Sequence, residues 1–281
     1  GGLALGPQRI AAAAVEGHIA RAPRDIPCLL IHEADHEHLG FYTQGACIFG
    51  AYVEAQKTID ITIGVTPKVE YVVLGAGSAN VSNLDVQVDT VDGALVGRDI
   101  EDDPRPLVRF IATGTQVRLT LAMTAITGQG GFASLVLLQG GGRKVAEARI
   151  DHSIKMTLAV GGAISQHVSE SIPGTTGVVF QEHGEWALFS TLLGQGQSWS
   201  TTGVELSGPS LILGGGDGVA RALALDVRDG NDAVVAKAAD GDDRPLAILQ
   251  SPPSSPLAVT VQNTESPEVS LTTLVVLAAT R

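Results

Sequence analysis

Four aliphatic residues, Ile59, Ile61, Ile63 and Val65, alternate with Asp, Thr and Gly along residues 58–65. A period of two sets them on one face of a half-buried strand. The same texture continues through YVVL from 71, LDVQV from 84, ALV from 94, LVRFIA from 107, QVRLTLAM from 116 and SLVLL from 134. A second set follows with SLIL from 210, ALALDV from 222, AVVAKA from 233, LAIL from 246, LAVTV from 257 and LTTLVVL from 271. Glycine, proline and aspartate fall mostly between these runs, as turns between short strands require. Two stretches have a different period. PQRIAAAAVEGHIARAP, 7–23, opens with Pro7 in a first helical turn, carries an alanine run and stops at Pro23. Ile10, Ala13, Ala14 and Ile19 fall near one stripe, so this helix is expected to dock one face. The segment 151–174 holds Ile154, Leu158, Ile164 and Val168 at helical spacing, interrupted by Gly161-Gly162. The pattern therefore predicts a mainly β protein: two tandem jelly-roll-like β-sandwiches, each preceded by an α-helix.

The two sets are near copies. NLDVQVDTVDGALVGRDIEDDPRP, from 83, answers ALDVRDGNDAVVAKAADGDDRP, from 224. Asp85 matches Asp226 through the shared Leu-Asp-Val, and Arg105-Pro106 matches Arg244-Pro245. YVVLGAG at 71 answers SLILGGG at 210, FASLVLLQ at 132 answers LTTLVVLA at 271, and HEHLGF at 36 is matched to QEHGEW at 181. An internal duplication is expected, with units 1–140 and 141–281 and the glycine-rich 140–144 as their junction.

The residues Leu84, Asp85, Val86, Val88, Asp89, Asp92 and Gly93, with Asp99, Asp102, Asp103 and Pro106 behind them, resemble the bacterial pre-peptidase C-terminal-like domains. Leu225, Asp226, Val227, Asp229 and Gly230, with Asp240, Asp242, Asp243 and Pro245, carry the same likeness in the second unit. It covers only the later strands of each. The resemblance implies a jelly-roll sandwich of the kind attached to secreted enzymes and surface proteins. The helices and the Glu-His motif are not part of that pattern.

With 18 Lys and Arg against 30 Asp and Glu, the net charge is −12. A surface so acidic does not grip phosphate, which argues against nucleic acid as a partner. No run of 18 apolar residues is present to span a bilayer as a helix. Yet 44% of the residues are hydrophobic and only 17% charged, which two β cores or burial between subunits would absorb. Cys28 and Cys47 are the only cysteines. In an oxidising compartment they are a disulfide candidate contributing about 3 kcal/mol by restricting the unfolded chain; in a reducing one they are small buried hydrophobes. The sequence opens on Gly1 rather than Met, as expected of a processed mature chain or of a tag remnant.

Two groups of residues have the types that bind metal. Asp99, Glu101, Asp102 and Asp103, and likewise Asp240, Asp242 and Asp243, supply enough oxygens for Ca²⁺, although the regular ladder of a dedicated calcium loop is missing. The commoner outcome for such a run is a solvated hairpin turn. His32, His36 and His38, interleaved with Glu33, Asp35 and Glu37, are candidate transition-metal ligands. The second copy offers only Glu182 and His183, which weighs against a duplicated metal role. LGAGSAN at 74 and LGGGDGV at 213 lack the third glycine of a dinucleotide loop, and no G-x-S-x-G is present for a hydrolase nucleophile. Trp186 and Trp199 are the only tryptophans for a sugar platform, and both suit a core.

These features point to a non-catalytic structural or assembly subunit, secreted, periplasmic or at the cell surface, with no cofactor. Its expected partner is itself or another surface protein. The alternatives are an extracellular module binding calcium, glycan or protein through the Asp-rich turns, and a metal-dependent enzyme built on the His32–His38 cluster.

Overall fold

The computed structural model describes residues 38–180, 185–238, 241–253 and 255–280. They form eighteen strands and one helix in the order β1 Leu39–Phe41, β2 Ala46–Glu54, β3 Thr58–Gly64, β4 Glu70–Gly77, β5 Val81–Thr90, β6 Leu95–Asp99, β7 Leu107–Ile111, β8 Gln116–Ile126, β9 Gly130–Gly140, α1 Glu147–Ser171, β10 Gly177–Phe180, β11 Leu188–Leu193, β12 Ser198–Val204, β13 Ser210–Gly215, β14 Ala222–Arg228, β15 Val234–Ala238, β16 Leu246–Leu249, β17 Leu257–Glu265 and β18 Ser270–Thr280. The fold is mainly β. The helix expected over 7–23 lies outside the described residues.

Two compact units divide the chain, one holding 38–147 with 185–191 and the other 148–180 with 192–280. The boundary falls seven residues beyond a cut at 140, because Phe41 and Arg143 form a backbone bridge that ties the 140–144 junction to the first unit. Residues 188–191 of β11 also belong there, pairing antiparallel with β2.

In the first unit β2-β9-β4-β7 make one sheet, extended by the start of β11 on β2 and by β1 on β9, and β3-β8-β5-β6 make the other. The pairs are nested: β5 with β6, β4 with β7, β3 with β8 and β2 with β9. That is one long hairpin wound over itself, the topology of a jelly roll. The second unit repeats the nesting with β14·β15, β13·β16 and β12·β17, and β10 lies on β18. Alternation builds the core: Leu84, Val86 and Val88 on β5 and Leu119, Leu121 and Met123 on β8 are fully buried, and so are Leu223, Leu225 and Val227 on β14.

Backbone hydrogen bonds recur at a fixed offset of 139. Gly75 N–H donates to Pro106 O and Gly214 N–H to Pro245 O, both at 2.8 Å; Leu84 N–H donates to Asp103 O and Leu223 N–H to Asp242 O, both at 2.9 Å. The hairpins β5–β6 and β14–β15 turn alike, with Gly93 at φ 90° and Asp232 at φ 64° in corresponding left-handed positions. This register corrects two sequence matches. Leu225, not Asp226, follows from Val86 by this offset, so the counterpart of Asp85 is Ala224 and that of Asp226 is Gln87. The Leu-Asp-Val match is a slide of two residues, which keeps every side chain on its face and is invisible to alternation. Phe41 opposite Leu138 likewise corresponds to Phe180 opposite Leu277, rather than to Trp186.

Helix α1 confirms the expectation over 151–174 and begins four residues earlier. Ile150, Ile154 and Leu158 are buried. Gly161, which weakens the helical pattern, lets the helix approach the sheet: a Cβ there would lie 3.1 Å from Leu277 Cδ1 and 3.2 Å from Leu213 Cδ1.

Candidate functional site

The acidic turn between β6 and β7 is built by its own carboxylates. Asp99 Oδ1 accepts Glu101 N–H at 3.1 Å, Asp99 Oδ2 accepts Leu107 N–H at 2.8 Å, and Asp103 Oδ1 accepts Arg105 N–H at 2.6 Å. The second unit repeats the last of these, Asp242 Oδ1 accepting Arg244 N–H at 2.7 Å, while Asp243 pairs with the Arg244 guanidinium at 3.3 Å. Asp240 lies outside the described residues. Oxygens engaged in this way close a turn, and among the described residues no three His, Cys, Asp or Glu side chains gather to hold a metal ion. Glu101 and Asp102 remain exposed on the turn.

Asp85 is the carboxylate this turn leaves uncompensated. Its Oδ1 is shielded from solvent and accepts no hydrogen bond. Burial, then the neighbouring Asp99 and Asp102 charges, push its carboxyl above the ordinary range. The corresponding positions in the second unit are Ala224, Ala238 and Gly241. There, Asp226 is instead clamped by Arg228, Nε to Oδ1 at 2.9 Å and Nη2 to Oδ2 at 3.3 Å.

Of the histidine cluster, His32 and His36 lie outside the described residues. His38 is exposed just before β1, with Nε2 2.7 Å from Glu70 Oε2; the other oxygen of Glu70 meets Arg109 Nε at 3.2 Å. Cys28 is also outside the described residues. Cys47 is buried on β2, its thiol donates to Ser190 O at 3.3 Å, and burial pushes its pKa up to about 12. Trp186 packs edge-on against Phe49, ring centroids 5.7 Å apart, and donates Nε1–H to Asp60 O at 2.9 Å.

Sequence reasoning missed the most complete polar network of the second unit. Asp217, whose side chain is fully buried, receives Arg149 Nε at 2.8 Å and Nη2 at 2.6 Å on Oδ2, with Leu271 N–H at 2.8 Å on the same oxygen. Ser270 Oγ–H and Val219 N–H donate to Oδ1 at 2.7 and 3.1 Å. The five donors saturate the carboxylate, as a buried charge requires, and fasten the first turn of α1 to its sheet. Ser78, the corresponding residue of the first unit, accepts Phe132 N–H at 3.1 Å as a neutral hydroxyl.

The other unexpected feature is apolar. Val91, Leu95, Ile100, Leu107 and Ile111 are each about half exposed, at 45 to 63%. All lie on or beside β6 and β7, the last strands of the two sheets of the first unit. The second unit exposes Val234 and Val235 in the same region.

No family model and no curated protein matches the chain. Solved structures give distant likenesses. The periplasmic inhibitor of g-type lysozyme PliG from Aeromonas hydrophila is 14% identical, with a TM-score of 0.28 over 36% of this chain and 92% of that one. The PBSX exported protein XepA is 9% identical, with a TM-score of 0.27 over 81% and 84%. The tandem CBM51 modules of a Streptococcus pneumoniae family 98 glycoside hydrolase are 7% identical, with a TM-score of 0.25 over 83% of each. Likeness at this level carries no argument about function.

Proposed function

We propose that this chain is a non-catalytic structural or assembly subunit, secreted or carried at the cell surface, built from a duplicated jelly-roll sandwich. The observation that supports the reading is the gathering of exposed branched aliphatics on the open edge of the first unit. Aliphatics scattered singly on a surface need no explanation, but five gathered on or beside two neighbouring strands suit a contact surface. The recurrence of strand nesting and turn hydrogen bonds at an offset of 139 supports the duplication. Among the described residues, Asp99, Asp103 and Asp242 shape turns and Asp217 fastens α1. No helix among the described residues is long and apolar enough to cross a membrane.

Sedimentation velocity across a wide range of protein concentration tests the reading. Association that grows with concentration supports it, and a strict monomer at the highest concentration removes it.

A further inference from the structure

We infer that the β6/β7 edge of the first unit docks against the same edge of a second copy of this chain, in a closed two-fold contact. The inference rests on the assembly reading and names its surface. β6 and β7 run antiparallel side by side at the corner of the sandwich: a Cβ on Gly97 would come 2.8 Å from Val108 Cγ1, and Asp99 Oδ2 holds Leu107 N–H at 2.8 Å. Ile100 and Leu107 therefore share one end of the edge, Leu95 and Ile111 the other, and Arg98 and Arg109 lie between.

A half-turn rotation carries one apolar end onto the other. The edge is thus self-complementary, which is what an isologous contact demands. Its extent also suits the role. Five aliphatics, each 45 to 63% exposed, make a patch on the order of the few hundred Å² that is the largest a monomer usually carries. That is within reach of the roughly 800 Å² each partner contributes to a stable complex.

The second unit shows that this exposure is not demanded by the fold. At the corresponding positions Val91 becomes Gly230, Ile100 becomes Ala239 and Ile111 becomes Gln250. With the patch reduced on the second unit, association through this edge closes at two copies and does not run on into a filament. Arg98 and Arg109 of the two copies approach one another near the axis, and Arg109 is already paired with Glu70 at 3.2 Å. Salt therefore tightens the contact by screening like charges while the apolar ends are unaffected.

Sedimentation equilibrium of the full chain reads the outcome, beside the variant Ile100→Ala/Ile111→Gln, which copies the second unit's residues, and Leu95→Lys at the opposite part of the edge. The expected result is a wild-type mass of two chains, tighter in 0.5 M than in 0.05 M sodium chloride (about a threefold change in Debye length). Each variant is expected to weaken the dimer at least tenfold, with an unchanged far-ultraviolet circular dichroism spectrum certifying the fold. A wild-type dimer that both folded variants retain overturns this surface but leaves self-association standing. A wild-type chain that stays monomeric overturns both and leaves the edge to a different protein. Mass that keeps climbing with concentration overturns closure.

Discussion

Gln87 and Asp226 occupy the same place in their respective units. Gln87 stands opposite Arg98 across β5–β6, and Asp226 stands opposite Lys237 across β14–β15. In the first unit the Gln87 amide turns along its strand to donate to both oxygens of Asp89 at 2.9 Å; in the second, Arg228, the counterpart of Asp89, reaches back to Asp226. One strand position thus carries the acid on opposite sides of the same contact. The pair Arg228–Asp226 is partly exposed, and such pairs contribute about 0–1 kcal/mol. Its role is to satisfy groups on the outer face of β14 rather than to hold the sandwich.

The buried partners of that face set the stability instead. Leu225 is wholly buried on β14, so Leu225→Ala removes apolar burial and leaves a cavity, for a loss of about 2–5 kcal/mol. Asp226→Asn on the next residue should change stability by less than about 1 kcal/mol. Urea unfolding of the two variants reads the contrast, and equal losses would refute the assignment of inner and outer faces.

The Arg149–Asp217 network predicts a large and asymmetric response. Asp217→Ala leaves Arg149 with Glu268 Oε1 at 3.2 Å and Val269 O at 2.7 Å but orphans Leu271 N–H and Val219 N–H, so the second unit should lose about 1–3 kcal/mol. Arg149→Ala leaves a fully buried carboxylate with three neutral donors and no cation, and should cost more, about 3–5 kcal/mol. Hydrogen exchange should show the first turn of α1 opening in both variants while β3, β5 and β8 keep their protection. Uniform loss across both units would show that the network is not local to the helix.

How much of this was legible follows from what alternation can detect. The strands with one solvated face, such as β3, β5 and β14, were readable residue by residue. β2, Ala46–Glu54, and β11, Leu188–Leu193, are buried almost throughout and show no period, so they were not anticipated. The slide at Leu-Asp-Val went unseen because a shift of two preserves the face of every residue. Asp217 gave little signal, because all its donors but Val219 N–H come from α1 and β18, 68 and 53 or 54 residues away. The apolar edge was hinted at by overall hydrophobicity, but only the sheet order shows that its members share one corner.

Asp85 gives the first unit a pH dependence with a definite sign. Its folded-state carboxyl is raised by burial and by the Asp99 and Asp102 charges. A proton is therefore held more tightly in the folded state than in the unfolded one. The contribution is fully present below the ordinary carboxylate range and is lost as pH rises through the raised value. Asp85→Ala, which copies Ala224, should flatten this part of the profile and make the first unit more stable at neutral pH than the wild type. Urea midpoints between pH 4 and 7 (the window above the reference value of about 3.9) read it. A variant that loses stability more steeply than the wild type as pH rises would show that the Asp85 charge is stabilising.

Gly215 offers a test in which two effects of opposite sign compete. Glycine within a strand is unfavourable by roughly 0.5–1 kcal/mol relative to alanine, and the first unit has Ala76 at the corresponding position. On that ground alone Gly215→Ala should stabilise. However, a Cβ at Gly215 would run into Thr157 Oγ1 and lie 3.1 Å from its backbone nitrogen. Thr157 is held by its own hydrogen bond to Ser153 O at 2.8 Å, and Ser153 Oγ in turn donates to Gly215 O at 2.9 Å. The side chain therefore has nowhere to yield without lifting α1 from the sheet. Overpacking wins, and Gly215→Ala should destabilise the second unit by about 1–3 kcal/mol. Thr157→Ala clears the space, so the double variant should be more stable than the sum of the two single losses, a coupling that urea unfolding of all four proteins measures. Additive losses would mean that the helix does not rest on Gly215, and a stabilising Gly215→Ala would mean that α1 tolerates the extra methyl as the first unit does at Ala76.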